Sequence, residues 1–397
     1  MEPKPSPPTP PLPDIPFVNE MRLNARLWLA TIAILAGIIF LTPRVWKRIE
    51  KFEVTLDYRI PYSLSKDYWL YQRRLEQHTT STNILLIGDS VIWGEYVLPD
   101  GTLSHFLNDQ TKSDRFINAG VNGLYPLAIE GLINHYANLK NRKIILHCNV
   151  LWMSSPKADL QDPKAQSINH SRLLPQFTTR FIPNFAHPVI PGYKADANER
   201  LSVFIERNIQ FMSWVTHLQS AYFDDKSIPA WSLQSDDNDR YPNSYRNPFA
   251  QIALRVPSAP ADDPERGPKS ARHKPWTQNG GSPTTFEWLN GNDLMWRSFQ
   301  WGAFLETLTK LQADQNDVFV VFGPFNTHII TPENMAGFES IKETIVATLK
   351  TSEIPFATPE TLPSDLYADA SHPLTAGYEL LAKRLLENPD FRKFVEK

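Results

Sequence analysis

The sequence predicts an α/β protein: a doubly wound, mostly parallel five-stranded sheet with a large insertion and an N-terminal transmembrane helix. Three observations predict it. Apolar runs the length of buried strands, such as Ile84-Leu85-Leu86-Ile87 and Val318-Phe319-Val320-Val321, alternate with stretches of helical spacing. That order implies parallel pairing through right-handed crossovers. Residues 27–42 are almost wholly apolar, and between residues 156 and 290 the strand–helix rhythm is lost.

Taken in order, residues 1–26 carry Pro3, Pro5, Pro7, Pro8, Pro10, Pro11, Pro13 and Pro16 and predict an extended tail with no packed core. Residues 27–46 predict a membrane span. Trp28 and Trp46 bracket it as rings at two interfaces, and as a helix the interval between them rises about 27 Å, close to a hydrocarbon core of roughly 30 Å. Leu41-Thr42-Pro43-Arg44 lacks a small-x-small cleavage pattern, which argues against a cleaved signal peptide. Lys4, Arg22 and Arg26 precede the span, and Arg44, Lys47, Arg48 and Lys51 follow it. Counting positive charges keeps the body in the cytoplasm, by a small margin.

Residues 47–80 form a juxtamembrane linker or helix, and 81–155 the first part of the α/β domain. The expected strands there are Asn83–Ile87, Arg115–Ala119 and Lys143–Val150, with a helix over Pro126–Lys140 that Pro126 starts well. The insertion, 156–290, carries one helix around Asn198–Phe223. Its later part, 224–283, is rich in Pro, Asn, Asp, Ser and Arg; a lid over the site and a surface excursion are both open readings. Residues 291–397 resume the domain. They carry a helix around Trp301–Leu311, a strand at Asp317–Phe322, a helix at Ser340–Leu349 with Ser340 as N-cap, a short strand at Ile354–Ala357 and a closing helix at Thr375–Leu386.

Composition narrows the function. A net charge of −3 over 397 residues, with no dense Lys/Arg stripe, gives no basis for a nucleic-acid partner. Cys148 is the sole cysteine, which excludes an intrachain disulfide and argues against a cysteine-built zinc site. No Gly-x-Gly-x-x-Gly or P-loop follows the first strand, which argues against a nucleotide binder. No metal site and no cofactor are expected.

The first strand stops abruptly at Gly88-Asp89-Ser90, placing a hydroxyl beyond the carboxyl end of a central strand, where open α/β sheets bind ligands. A serine needs a base and a group to orient that base. Asp369-Ala370-Ser371-His372-Pro373 supplies both: Asp369 lies three residues before His372, and Pro373 keeps His372 in a loop. Candidate oxyanion donors are the N–H of Ser90, the N–H of Gly123 in Asn118-Ala119-Gly120-Val121-Asn122-Gly123, and the side-chain amide of Asn149. Trp152, Asn326 and His328 follow strand ends and are candidate substrate contacts.

The order Gly88-Asp89-Ser90, Asn118 to Gly123, Asn149, then Asp369 to His372 resembles the SGNH (GDSL-type) hydrolase superfamily. The resemblance covers about 81–155 and 315–390. It implies a flavodoxin-like sheet, Ser90 as nucleophile, Gly123 and Asn149 as oxyanion donors, Asp369 as orienter and His372 as base. The third block departs, with His147-Cys148-Asn149-Val150 in place of Gly-x-Asn-Asp. A membrane anchor before such a body is similar to envelope acyl-transfer proteins of the alginate-acetylation or D-alanylation type. That likeness implies an extracytoplasmic body, an acylated glycan or small ester as substrate, and a membrane acyl-donor protein as partner. The expected function is a serine esterase or O-acyltransferase; the alternative is a non-catalytic module recruiting a polymer or envelope partner.

Overall fold

The computed structural model describes residues 24–52, 55–77, 82–163, 168–174, 189–234, 246–256, 286 and 291–396. The Pro-rich tail and most of the segment read as lid or surface excursion lie outside the described residues.

The described residues begin with helix α1 (Ala25–Ile49), capped by the Asn24 side chain on the Leu27 N–H. It is long and apolar enough to cross a membrane, and none of its most apolar stretch is buried in the protein. Trp28 is exposed as expected. Trp46 is not: it is buried against Trp214 and Tyr222, at ring separations of 5.5 and 6.4 Å. A tryptophan at this end of the span had better partners in the body than in the lipid interface.

Helix α2 (Tyr68–Gln77) leads into strand β1 (Ile84–Ile87). A short helix α3 (Ser90–Trp93), then α4 (Leu103–Thr111), β2 (Phe116–Asn118), α5 (Pro126–His135) and β3 (Lys143–Cys148) complete the first half. The insertion gives α6 (Ala197–Asn208), α7 (Gln210–Tyr222), α8 (Ile228–Ser232) and α9 (Pro248–Gln251). The second half follows as α10 (Gly291–Arg297), α11 (Phe299–Ala313), β4 (Asp317–Phe322), α12 (Pro332–Thr351), β5 (Phe356–Ala357), α13 (Thr375–Glu387) and α14 (Pro389–Glu396).

The five strands form one all-parallel sheet in the order β2-β1-β3-β4-β5. The direction of winding reverses between β1 and β3, which opens a crevice beyond their carboxyl ends. Alternate residues serve two cores. Leu85, Ile87, Ile144, Leu146, Val318 and Val320 join the layer that includes α5, α11 and α12. Ile84, Leu86, Ile145, Phe319 and Val321 join that of α4, α13 and α14. Burial on both sides explains why these strands read as unbroken apolar runs.

Several boundaries differ from the sequence reading. The helix expected over Asn198–Phe223 is two, broken at Ile209 (φ −116°, ψ 104°), with the Ser213 hydroxyl bonding the Glu206 carbonyl across the elbow. The helix expected from Ser340 begins at Pro332. Gly337 is tolerated inside it because the Phe286 backbone lies there: a Cβ at 337 would sit 2.5 Å from the Phe286 carbonyl oxygen. Lys143–Val150 ends as a strand at Cys148, where Asn149 caps a 3-10 turn over Val150–Met153.

Candidate active site

Ser90 begins α3 directly after β1, so no residue of an earlier helical turn takes its N–H. The tight exit from β1 requires Gly88: a Cβ there would lie 2.7 Å from the Cβ of His147 on β3 and 2.5 Å from the Ile92 side chain. Asp89 caps α3 by accepting from the Val91 N–H at 3.0 Å. The Tyr378 hydroxyl, on α13, donates to the Val91 carbonyl and fixes α3 from the other side.

His372 and Ser90 stand 282 residues apart in sequence, yet Ser90 Oγ lies 2.8 Å from His372 Nε2. His372 Nδ1 lies 2.8 Å from both oxygens of Asp369. A carboxylate can only accept, so Nδ1 donates to Asp369 and the neutral ring offers Nε2 as acceptor for the Ser90 hydroxyl. The Asp369 carboxylate also accepts the N–H groups of Ser371 and His372, each at 3.0 Å, closing the loop that carries the ring. Both Ser90 (7% exposed) and His372 (9%) are buried.

Burial works against the charged ring of His372. The hydrogen bond and charge of Asp369, with Glu95 and Asp89 beyond, outweigh it, so its pKa is raised above the ordinary 6.5. Burial likewise opposes the Asp369 carboxylate, but the bond to His372 prevails and holds its pKa below the usual carboxylate range. Burial, with the charge of Asp89, raises Cys148 far above an ordinary thiol, so it stays protonated.

Gly123 takes φ +76°, a backbone conformation that favours glycine, and a Cβ there would lie 2.3 Å from the Asn169 amide. The turn is braced by His170, whose Nε2 lies 2.8 Å from the Asn122 carbonyl and whose Nδ1 lies 3.0 Å from the Tyr68 hydroxyl. Asn118 ties the end of β2 to α3 through the Ile92 carbonyl, at 2.9 Å.

The Asn149 amide donates to Asp89 Oδ2 at 2.7 Å, so one of its two N–H groups is engaged and one is left for another acceptor. Trp152 Nε1 donates to the same oxygen at 2.9 Å, and His147 Nδ1 lies 3.0 Å from Asp89 Oδ1. Burial would raise the Asp89 pKa, but these three partners hold it well below the usual range. The Trp152 ring is half-buried beside Tyr125, at 5.6 Å. Asn326 is fully buried under the Asp369 loop, its amide on the Asp369 carbonyl at 3.2 Å, so it supports the loop from below and does not face an opening. His328 Nε2 lies 3.1 Å from the Leu362 carbonyl and meets no other candidate residue.

Sequence reasoning missed Asp89 as a hub and Glu95 as a neighbour. Glu95 Oε2 lies 3.5 Å from His372 Nε2, and the Tyr96 ring packs edge-on against His372 at 5.4 Å. A cleft of about 840 Å³ is lined by Ile168, Ser171, Arg172 and Tyr193 among others, and by none of the candidate residues. No group of three or more His, Cys, Asp or Glu side chains among the described residues is placed to hold a metal ion. Compared with known proteins, the chain matches no family model and no curated protein.

Proposed function

We propose that this chain is a membrane-anchored serine esterase or O-acyltransferase of the SGNH type, with its body outside the cytoplasm and an acylated envelope glycan or small ester as substrate. The observation that carries the reading is the 2.8 Å approach of Ser90 Oγ to His372 Nε2, with Asp369 on the opposite ring nitrogen. A serine and an imidazole so far apart in sequence, both buried, need a reason to meet, and nucleophile activation supplies one.

In this mechanism Ser90 Oγ attacks the ester carbonyl carbon while Nε2 takes the hydroxyl proton. The carbonyl π electrons move onto oxygen, where the N–H groups of Ser90 and Gly123 and the remaining N–H of Asn149 stabilise the charge. Collapse breaks the bond to the alcohol, which leaves with the proton from Nε2. Water or a second alcohol then resolves the acyl-enzyme. Asp369 orients the ring and stabilises its charged form.

The test is fluorophosphonate labelling of the full-length protein in detergent, with aryl acetate turnover. Labelling is expected at Ser90 and is lost in Ser90→Ala and His372→Ala, with turnover down by roughly three or more orders of magnitude. A folded protein that neither labels nor turns over overturns the enzyme reading and leaves the non-catalytic binding module. A carboxyl-terminal reporter active only in the cytoplasm overturns the external placement.

A further inference from the structure

The acyl-enzyme steps assign Glu95 no direct contact with the reacting atoms. Its carboxylate is partly exposed (31%), and its Oε2 lies 3.5 Å from His372 Nε2. The turn that carries it is locked. Gly94 (φ +89°) and Tyr96 (φ +71°) flank it in left-handed conformations, and Tyr96, with its side chain, holds that shape at a cost. The N–H groups of Gly94 and Glu95 both bond the Ser90 carbonyl, at 2.9 and 3.0 Å. The buried Arg59 guanidinium gathers the carbonyls of Trp93, Gly94 and Val97. Glu95 is therefore fixed to the serine's own backbone.

Hydrogen-bond accounting shows what such a carboxylate asks for. In the resting site the Ser90 hydroxyl donates to Nε2, and Glu95 Oε2, 3.5 Å from that nitrogen, is a second acceptor beside it. Once Ser90 carries an acyl group that donor is gone, and two acceptors 3.5 Å apart stand side by side with none. We propose that Glu95 is an acceptor-positioning residue: the Nε2–Glu95 pair seats an alcohol with two neighbouring hydroxyls, one on each atom, and thereby favours transfer to a vicinal diol over hydrolysis.

The step balances. Nε2 takes the proton of the first hydroxyl as its oxygen forms a bond to the acyl carbon. The bond from that carbon to Ser90 Oγ breaks, and Oγ takes the proton back from Nε2. The second hydroxyl keeps its proton and donates to Glu95 throughout. Glu95 also lies 3.5 Å from Nε2, where its charge acts on the base in both half-reactions alike; its contact with the second hydroxyl belongs to the second half-reaction only. The inference rests on the acyl-enzyme reading above.

The test uses the full-length protein in detergent, 4-nitrophenyl acetate as donor, and two alcohols that differ in the second hydroxyl, 1,2-ethanediol and 2-methoxyethanol. The measured quantity is the ratio of acetylated alcohol to free acetate. The native chain should prefer the diol. Glu95→Ala should lower that preference roughly tenfold or more, the effect of losing one hydrogen bond to a charged group. The burst of nitrophenol that reports acylation of Ser90 registers the loss of Glu95's charge beside His372; that change is the same with either alcohol and cancels from the preference between them. Glu95→Gln, which keeps a carbonyl acceptor, should fall between. An unchanged preference in Glu95→Ala overturns the proposal, even if the pH profile for both alcohols moves together, because that is what a purely electrostatic effect on His372 would give. So does a native chain with no preference. Absence of any burst overturns the parent reading and this one with it.

Discussion

At the scale of single residues, the chemistry of the site depends on which group holds the proton on His372. Its pKa is raised above 6.5, and under the proposed mechanism the ring must be neutral to accept from Ser90. Ser90 labelling should therefore rise with pH through an inflection above 6.5. Asp369→Asn removes the charge that raises it and lets the amide hold the ring in the wrong tautomer, so the inflection should move down while the plateau falls by roughly three to four orders of magnitude. Labelling rates across pH 5–9 check both, and a native inflection at or below 6.5 contradicts the assignment. Ser90, Asp369 and His372 were legible because each motif is local: a strand that stops at Gly-Asp-Ser, and a carboxylate three residues before a loop histidine. The role of Asp89 was not, because its partners His147, Asn149 and Trp152 arrive from a different strand and the turn after it. Glu95 was illegible for the same reason, since its meaning depends on a ring that comes from the other end of the chain.

At the scale of elements, the junction of α1, α2 and α7 carries a buried charge network. His217 Nε2 lies 2.9 Å from Glu50 Oε1 and its Nδ1 2.7 Å from Asp67 Oδ2; Arg73 and the Tyr222 hydroxyl also bond Glu50. Burial lowers the His217 pKa, but Asp67 and Glu50 overcome this and raise it to about 9. A raised folded-state pKa stabilises fully below the unfolded value, near 6.5, and the gain is lost as pH rises through 9. The melting temperature of the full-length protein should accordingly fall between pH 6.5 and 9. His217→Ala should cost about 3–5 kcal/mol, because it removes the cation that two buried carboxylates share, and should flatten that alkaline decline. A variant that melts like the native chain would show that the network contributes no stability. None of this was readable in advance. The strands were, since burial on both faces makes their apolar runs continuous. The break at Ile209 has no comparable signal in the apolar pattern, and Gly337 inside α12 has its reason in the Phe286 backbone far away in sequence.

At the scale of the whole molecule, the parallel sheet, its flanking helices and the apolar N-terminal helix all follow from the pattern of apolar residues. The boundary between anchor and body does not. The sequence places it after Trp46, whereas Trp46 shares a cluster with Leu218, Tyr222, Phe223 and Trp231, and Glu50 is part of the body's interior. A chain beginning at Thr42 should thus be soluble and melt cooperatively. One beginning at Phe52 leaves that cluster open and His217 without Glu50, and should melt earlier or aggregate. Size-exclusion chromatography and thermal melting compare the two, and equal behaviour would mean that the last turns of α1 are dispensable to the body.

Glu50, the residue that caps α1, is itself held by side chains of α2 and α7. No swivel separates the two parts. With α1 in a bilayer, the serine rides at one altitude and one inclination, like a tool bolted to its post. Its encounters are then confined to sliding in two dimensions and spinning about the membrane normal, and on the proposed function any ester has to be delivered to that altitude.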